Sequence, residues 1–572
     1  MCSGADGAKK CQPSLCLGPL VAFARRRVFV IMPALLDLPE ALLWHVLDSL
    51  CARALGRLLS TSIGWRDAVV AALHLRADRL HASPLTNAHA AAWWLLREHL
   101  AGCRRTRTVS AAQDATVCIT PHLGRLCVWG GRRANEPDSS DDKRGTAYLG
   151  LGPGQAPTIV RAPIEMAGSF NTAASWYGYR LDVCEVSMSH ASTLLRTQHG
   201  TVLWCGVNVF DETQHIPARL PQIDDVKVVQ IATGGWYSLL LDDAGRVYSF
   251  GESSLGELGH GGERKWRQVR HPLPIKALDQ ESVRHISAAN SHAHAVTADG
   301  QLWSWGGNSK GELGQGPIDR EQRARLTREF MYTDPNGYRP PEWHDSGGLF
   351  RWQPVRVSVP GVRFVETSGG SSHTLALTSC GRVFSCGCGR NGALGQGYSN
   401  VNDPCWRLRE VLLPQLTDET AQRLKVPQLR ITLRSMGRDH TGNKAALQAR
   451  LLNALQHPKW AALRLARLPK LRQVAAGGSH SVVLTQDGQV FQFGSIDCGR
   501  RSQPSFWPVR ICRGLQRVRV DEVSTSGRHV VVRLDDGSVC SMGCNDAGQL
   551  GINSSAKWIP HMQRISFETE RP

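Results

Sequence analysis

The sequence predicts a mainly-β fold, a seven-bladed β-propeller, with an N-terminal α-helical bundle and a small helical insertion attached to it. Three observations carry that prediction. A short strand bounded by two glycines recurs seven times with unchanged internal spacing. Ahead of the recurrences, apolar residues return at spacings of three and four, as packed short helices require. One interval between recurrences is much longer than the rest and strongly basic. At 572 residues the chain also exceeds what one core can hold, so several domains are expected.

The repeat is clearest in "SHSVVLTQDGQVFQFG", Ser479 to Gly494, which reads as two strands around an Asp-Gly turn. A single hairpin of this kind is not stable alone in water. The glycine pair Gly488/Gly494 recurs as Gly124/Gly130, Gly200/Gly206, Gly245/Gly251, Gly300/Gly306, Gly381/Gly387 and Gly537/Gly543. The turn glycines Gly124, Gly200, Gly245, Gly300, Gly381, Gly488 and Gly537 are therefore the structural markers of the array. Between the glycines lie segments such as "RVYSF", "QLWSW" and "QVFQF", whose alternation suits half-buried strands. A further phrase follows in four copies, at Gly256–Gly259, Gly311–Gly314, Gly392–Gly395 and Gly548–Gly551. Units this small cannot bury a face alone, and radial stacking leaves only short protected edges.

The composite phrase, G-G-x-x-H-[ST]-x-x-L-T-x-D-G-x-V-[FY]-x-[WF]-G-x-N-x-x-G-x-L-G, resembles the regulator of chromosome condensation repeat. The resemblance implies a propeller over residues 107–567, insertions included. His292, His373, His480 and His529 stand eight residues before their turn glycines, with Tyr237, Ser192 and Thr116 at the same offset in the other copies. Hydrogen bonding is common to all seven residues. Equivalent positions on different blades lie around a wide ring, so the expectation is a structural role, with no metal and no cofactor.

Residues 34–105 are expected to form the helical domain and a linker helix. Leu38-Pro39, Leu42-Leu43, Val46 and the apolar positions after them resemble an F-box. That resemblance implies docking onto a small adaptor, and through it onto a cullin ubiquitin ligase, by Leu38, Pro39, Leu42, Leu43 and Val46. Residues 1–33 read as an N-terminal extension. Its apolar stretch precedes Arg25–Arg27, the reverse of a signal peptide's charge order, so organelle targeting and a start at Met32 rather than Met1 are the alternatives.

The basic interval, 398–470, carries 13 Lys/Arg against 5 Asp/Glu, a net +8 of the chain's +18. Such concentration is an electrostatic footprint rather than an even surface. Within it, 424–456 reads as helix, glycine-containing turn, helix. Val426-Pro427-x-Leu429 followed by Gly442-x-Lys444-x-x-Leu447-x-x-Arg450-Leu451 resembles a SAP domain. The resemblance implies DNA contact through Arg430, Arg434, Arg438, Lys444 and Arg450; the plainer reading is a solvated basic hairpin that contacts protein. A second insertion, 317–351, reads as a loop.

The 17 cysteines lack paired spacing for zinc and read as buried reduced thiols; Cys386 and Cys388 are close but fall on a strand position. No apolar run is long enough to span a bilayer, so no membrane partner is expected. No phosphate-binding loop, nucleophile elbow or carboxylate pair appears, and after the seventh repeat little chain is left for a ligase domain. The expectation is a non-catalytic interaction protein of nucleus or cytoplasm. Its first reading is the substrate-recognition subunit of a cullin-type ligase, gripping an unknown protein target on the propeller and chromatin through the SAP-like arm. The alternatives are a guanine-nucleotide exchange factor for a Ran-type small GTPase, and a chromatin scaffold.

Overall fold

In the computed structural model, residues 107–567 are described, apart from 121–125, 132–148, 150, 152–159, 167–182, 190, 209–211, 224, 262–265, 318–349, 398–403, 412–425, 436–437, 457–468, 497–503, 512 and 516–517. These residues form seven four-stranded antiparallel sheets, each with its strands in chain order. The sheets are blades 1 to 7, over 109–165, 183–219, 228–274, 283–357, 364–410, 471–510 and 520–564. No described helix is long and apolar enough to cross a membrane.

The helical part of the expected fold needs correction. The described residues are mainly β, and their only α-helices, α1 (Val426–Ser435) and α2 (Lys444–Gln456), lie in the insertion between blades 5 and 6. No helical bundle precedes blade 1 among the described residues. The expected segments 1–33 and 34–105, Gly124, and 318–349 of the second insertion lie outside them.

Local chemistry explains the repeated phrase. In blade 4, Gly300 has φ +87°, a left-handed conformation that glycine adopts without a Cβ clash. It closes a three-residue loop in which Thr297 N–H donates to the Gln301 carbonyl at 3.0 Å. The threonine of the motif braces that loop: Thr297 Oγ1 accepts the Gln301 N–H at 3.0 Å, as Thr485 Oγ1 accepts that of Gln489 at 2.8 Å. The second glycine answers to crowding. A Cβ on Gly494 would stand 2.5 Å from the Ser479 carbonyl oxygen and 2.6 Å from His480 Cα.

The second strand of six blades, such as His292–Thr297 and His480–Thr485, is buried along its whole length, and that of blade 2 is buried in all but its first residue, Ser192. It is covered on both faces by neighbouring blades, so it reads as a near-continuous apolar and small run instead of an alternation. Outer strands such as Gln268–Pro274 are partly exposed.

The Gly-x-Leu-Gly phrase joins blades. Within a blade, the third-strand serine donates to the leucine carbonyl, as in Ser304 Oγ to Leu313 at 2.9 Å and Ser541 Oγ to Leu550 at 2.7 Å. The carbonyl just before the leucine is claimed by the next blade. Trp305 Nε1 donates to Glu257 O at 2.7 Å, Thr374 Oγ1 to Glu312 O at 2.7 Å and Ser481 Oγ to Ala393 O at 2.7 Å.

The ring closes between blades 7 and 1 without a shared strand. Side chains hold the seam. Glu522 accepts the N–H groups of Thr108 and Val109 at 2.9 and 3.1 Å. Arg533, wholly buried, donates to Ile119 O at 2.7 Å and Thr108 O at 3.2 Å, with its Nε 3.9 Å from Glu522. Trp129 Nε1 donates to Gln549 O at 2.9 Å. Buried polar groups that are bonded rigidify and specify the assembly, whereas removing one partner leaves another stranded.

Candidate functional site

The inserted hairpin is built by a few leucines. Leu429 and Leu433 of α1 and Leu447, Leu451 and Leu455 of α2 form one small buried core. At the end of α1 the Arg438 N–H returns to the Leu433 carbonyl at 2.9 Å, capping carbonyls the helix leaves open. Gly442 has φ +107° and turns the chain into α2, where Asn443 Oδ1 accepts the Ala446 N–H at 3.0 Å as an N-cap. In the connection, Asp439 Oδ1 accepts from Thr441 N–H and Oγ1 at 3.0 and 2.7 Å. Those bonds, with Arg450 nearby, hold its carboxyl below the usual range.

The hairpin does not stand off from the propeller. Trp507 and Val509, on the outer strand of blade 6 (Ser505–Arg510), pack against its leucine core. Gly397 makes room for that tryptophan: a Cβ there would lie 1.8 Å from the indole ring. The seating fixes where the hairpin's charges point relative to the blades.

Among the sequence-predicted contacts, Arg430, Arg438 and Lys444 are exposed. Lys444 is the first residue of α2, beside N–H groups that the helix leaves unsatisfied, a favourable place for an anion. Neither helix has an acidic residue in its first turn. Arg450 is half-buried and bridges Asp439 at 3.0 Å, bonding also to the Thr441 carbonyl. It is a brace of the loop as well as a cation. Arg434 lies within α1, and nothing is described of its side chain. The proposed adaptor contacts Leu38, Pro39, Leu42, Leu43 and Val46 lie outside the described residues. Sequence reasoning missed Trp507 and Val509. The only trace was an aromatic in the partly exposed pattern of "SFWPVR", which does not say what covers it.

The histidines at the repeat offset are buried, and each bonds the next blade. His292 Nε2 meets Thr374 Oγ1 at 3.0 Å, His373 Nε2 meets Ser481 Oγ at 2.9 Å, and His529 Nε2 meets Thr116 Oγ1 at 2.9 Å. His480 Nε2 meets Thr525 Oγ1 at 2.5 Å, and Tyr237 OH donates to the His292 carbonyl at 2.5 Å. Burial disfavours the imidazolium, pushing His373 down to about 4 and His294, His480 and His529 to about 3. Burial acts oppositely on Glu257 and Glu312 of the Gly-x-Leu-Gly phrase, whose carboxyls rise to about 7. No cluster of three metal-ligating side chains occurs among the described residues.

Models of known families match these segments. The regulator of chromosome condensation (RCC1) repeat matches 244–296 and 299–377, a second RCC1-repeat model matches 283–312, 364–393 and 471–500, and the SAP domain matches 420–456. The propeller thus carries RCC1 repeats over 244–393 and 471–500, and its insertion carries a SAP domain over 420–456. Human E3 ubiquitin-protein ligase HERC2 is 25% identical over 338 residues, which are 56% of this chain but only 6% of HERC2. The match thus spans only a small part of HERC2's length. Among solved structures, human WBSCR16 superposes with a TM-score of 0.53 at 17% identity, covering 77% of this chain and 95% of WBSCR16. Prp20p from Saccharomyces cerevisiae, described with its binding properties to Gsp1p and histones, superposes at 0.51 and 17%, covering 74% and 81%.

Two expectations change. None of the matched family segments reaches 34–105, so the F-box-like reading and the adaptor and cullin partnership built on it have no support and are withdrawn. The expectation of a non-catalytic chain falls as well. It rested on missing nucleophile and phosphate-loop motifs, yet the propeller shares its fold with Prp20p. Catalysis of nucleotide release from a partner forms no covalent bond, so those motifs are not required for it. The chain is thus related through its RCC1 repeats to HERC2 and, in fold, to Prp20p.

Proposed function

We propose that this RCC1-repeat propeller binds a Ran-type small GTPase and accelerates its guanine-nucleotide exchange in the nucleus, held at chromatin by its SAP hairpin. The observation that carries this reading is the pairing of two parts on one frame: a seven-bladed propeller of the Prp20p fold and an exposed basic hairpin seated on blade 6. Prp20p, described with its binding properties to Gsp1p and histones, supplies the precedent for a propeller of this fold that engages other proteins. Exposed Arg430, Arg438 and Lys444 support phosphate contact, which positions a protein on DNA without reading its sequence.

The test is release of a fluorescent GDP analogue from a Ran-type GTPase on adding the full chain in substoichiometric amount. Catalytic acceleration is expected. An unchanged release rate contradicts exchange activity; if the chain still binds chromatin, it is then a scaffold.

A further inference from the structure

The turns joining the inner and second strands of all seven blades converge on the propeller axis, where they enclose a funnel of about 610 Å³. Its lining is one-sided in charge. Arg107, Lys310, Arg390 and Arg528 contribute to the wall, and among the described residues no aspartate or glutamate does. Lys310 and Arg390 are exposed and make no ion pair with any described residue; Arg528 stands 3.9 Å from Asp546, which lies outside the funnel.

The wall also carries a set of hydroxyls, each accepting an N–H from a neighbouring blade. Ser524 Oγ accepts Ala111 N–H at 2.9 Å, Ser110 Oγ accepts Met188 N–H at 3.0 Å, Ser287 Oγ accepts Gly369 N–H at 3.3 Å and Ser368 Oγ accepts Ala476 N–H at 3.0 Å. A hydroxyl used as an acceptor still has its own proton to donate. The protons of these four serines have no protein acceptor among the described residues. The funnel wall therefore presents a ring of O–H donors and four cations; the carboxylates that act on three of those cations, Asp546 on Arg528, Glu312 on Lys310 and Glu185 on Arg107, lie outside the wall.

We propose that this axial funnel binds a phosphorylated segment of a partner polypeptide. A phosphomonoester carries close to two charges and three terminal oxygens, so it takes several O–H donors and an arginine fork at once. The volume greatly exceeds an isolated phosphate and suits a few residues of extended chain. A nucleotide is disfavoured because no described phenylalanine, tyrosine or tryptophan lines the wall to stack a base, and a DNA duplex is too wide to enter. The inference is independent of exchange activity, which has its own readout.

The test uses the full chain and fluorescence anisotropy with a degenerate pool of short phosphoserine peptides and its unphosphorylated twin. The phosphorylated pool is expected to bind at least about tenfold more tightly. Lys310→Ala with Arg390→Ala is expected to weaken it by about tenfold or more while the thermal unfolding midpoint stays in place. Equal binding of the two pools, or an unchanged affinity in the double variant, overturns the proposal. So does a glutamate-substituted pool that binds as well as the phosphorylated one, or saturation by inorganic phosphate alone at the same concentration.

Discussion

The inter-blade ring and the inserted hairpin use overlapping residue types to opposite ends. In the ring, Arg533 and the repeat histidines are bonded to the adjoining blade and shielded from water, and the partly buried Glu522 is bonded across the same seam. On the hairpin, Arg430, Arg438 and Lys444 stand in water over a small leucine core. A cation or imidazole is thus no indicator of function by itself. Burial converts it into a joint between sheets; exposure leaves its charge available to a partner.

Breaking the ring is expected to have the largest effect. Arg533→Ala removes the guanidinium that faces Glu522 and leaves the Ile119 and Thr108 carbonyls without their buried donor at the blade 7–blade 1 seam, and is expected to cost ~3–5 kcal/mol, read from denaturant unfolding. Arg564→Ala, which removes an exposed partner of Asp536, is expected to cost less than ~1 kcal/mol. Equal effects of the two would erase the distinction drawn between buried and exposed charge.

A smaller effect separates the ring by pH. His529 titrates near 6.5 in the unfolded chain and near 3 when folded, so the folded state binds fewer protons between those values. Its contribution is complete above pH 6.5 and is lost as pH falls toward 3. Glu257 and Glu312 oppose this, since their raised carboxyls favour the folded state below about pH 7. Comparing His529→Gln with the parent chain cancels such background. Its stability is expected to fall less steeply below about pH 6, by about one proton or ~1.4 kcal/mol per pH unit. Parallel pH curves would show that His529 becomes protonated within the fold.

Smallest of all is the stability change for Lys444→Ala, expected to stay within ~0.5 kcal/mol because the side chain is exposed. A larger loss in thermal or denaturant unfolding would make Lys444 part of the fold rather than of a binding face.

The propeller was legible because its grammar is local. Positive φ at the turn and crowding at Gly494 restrict those positions to glycine in the described copies of the unit. Even the fully buried second strands, which give no alternation, are found by their place in the repeat. The hairpin was legible for the same reason, its leucines falling at helical spacing. The blade 7–blade 1 seam was not: Arg533 and Ile119 meet across 414 residues, and nothing near either marks the other. Nor was the seating on Trp507 and Val509, because a strand pattern does not reveal which face an insertion will cover. The funnel escaped for a related reason, since its cations and hydroxyls come from separate blades and converge only once the ring is closed.

The central claim is that the exposed charges of the hairpin, not the buried polar groups of the ring, make the nucleic-acid contact. Salt titration of duplex DNA binding by the full chain tests it most directly. Lys444→Ala is expected to lower the slope of log affinity against log salt by roughly 1, the loss of one phosphate contact. An unchanged slope in a variant that folds normally would contradict the claim.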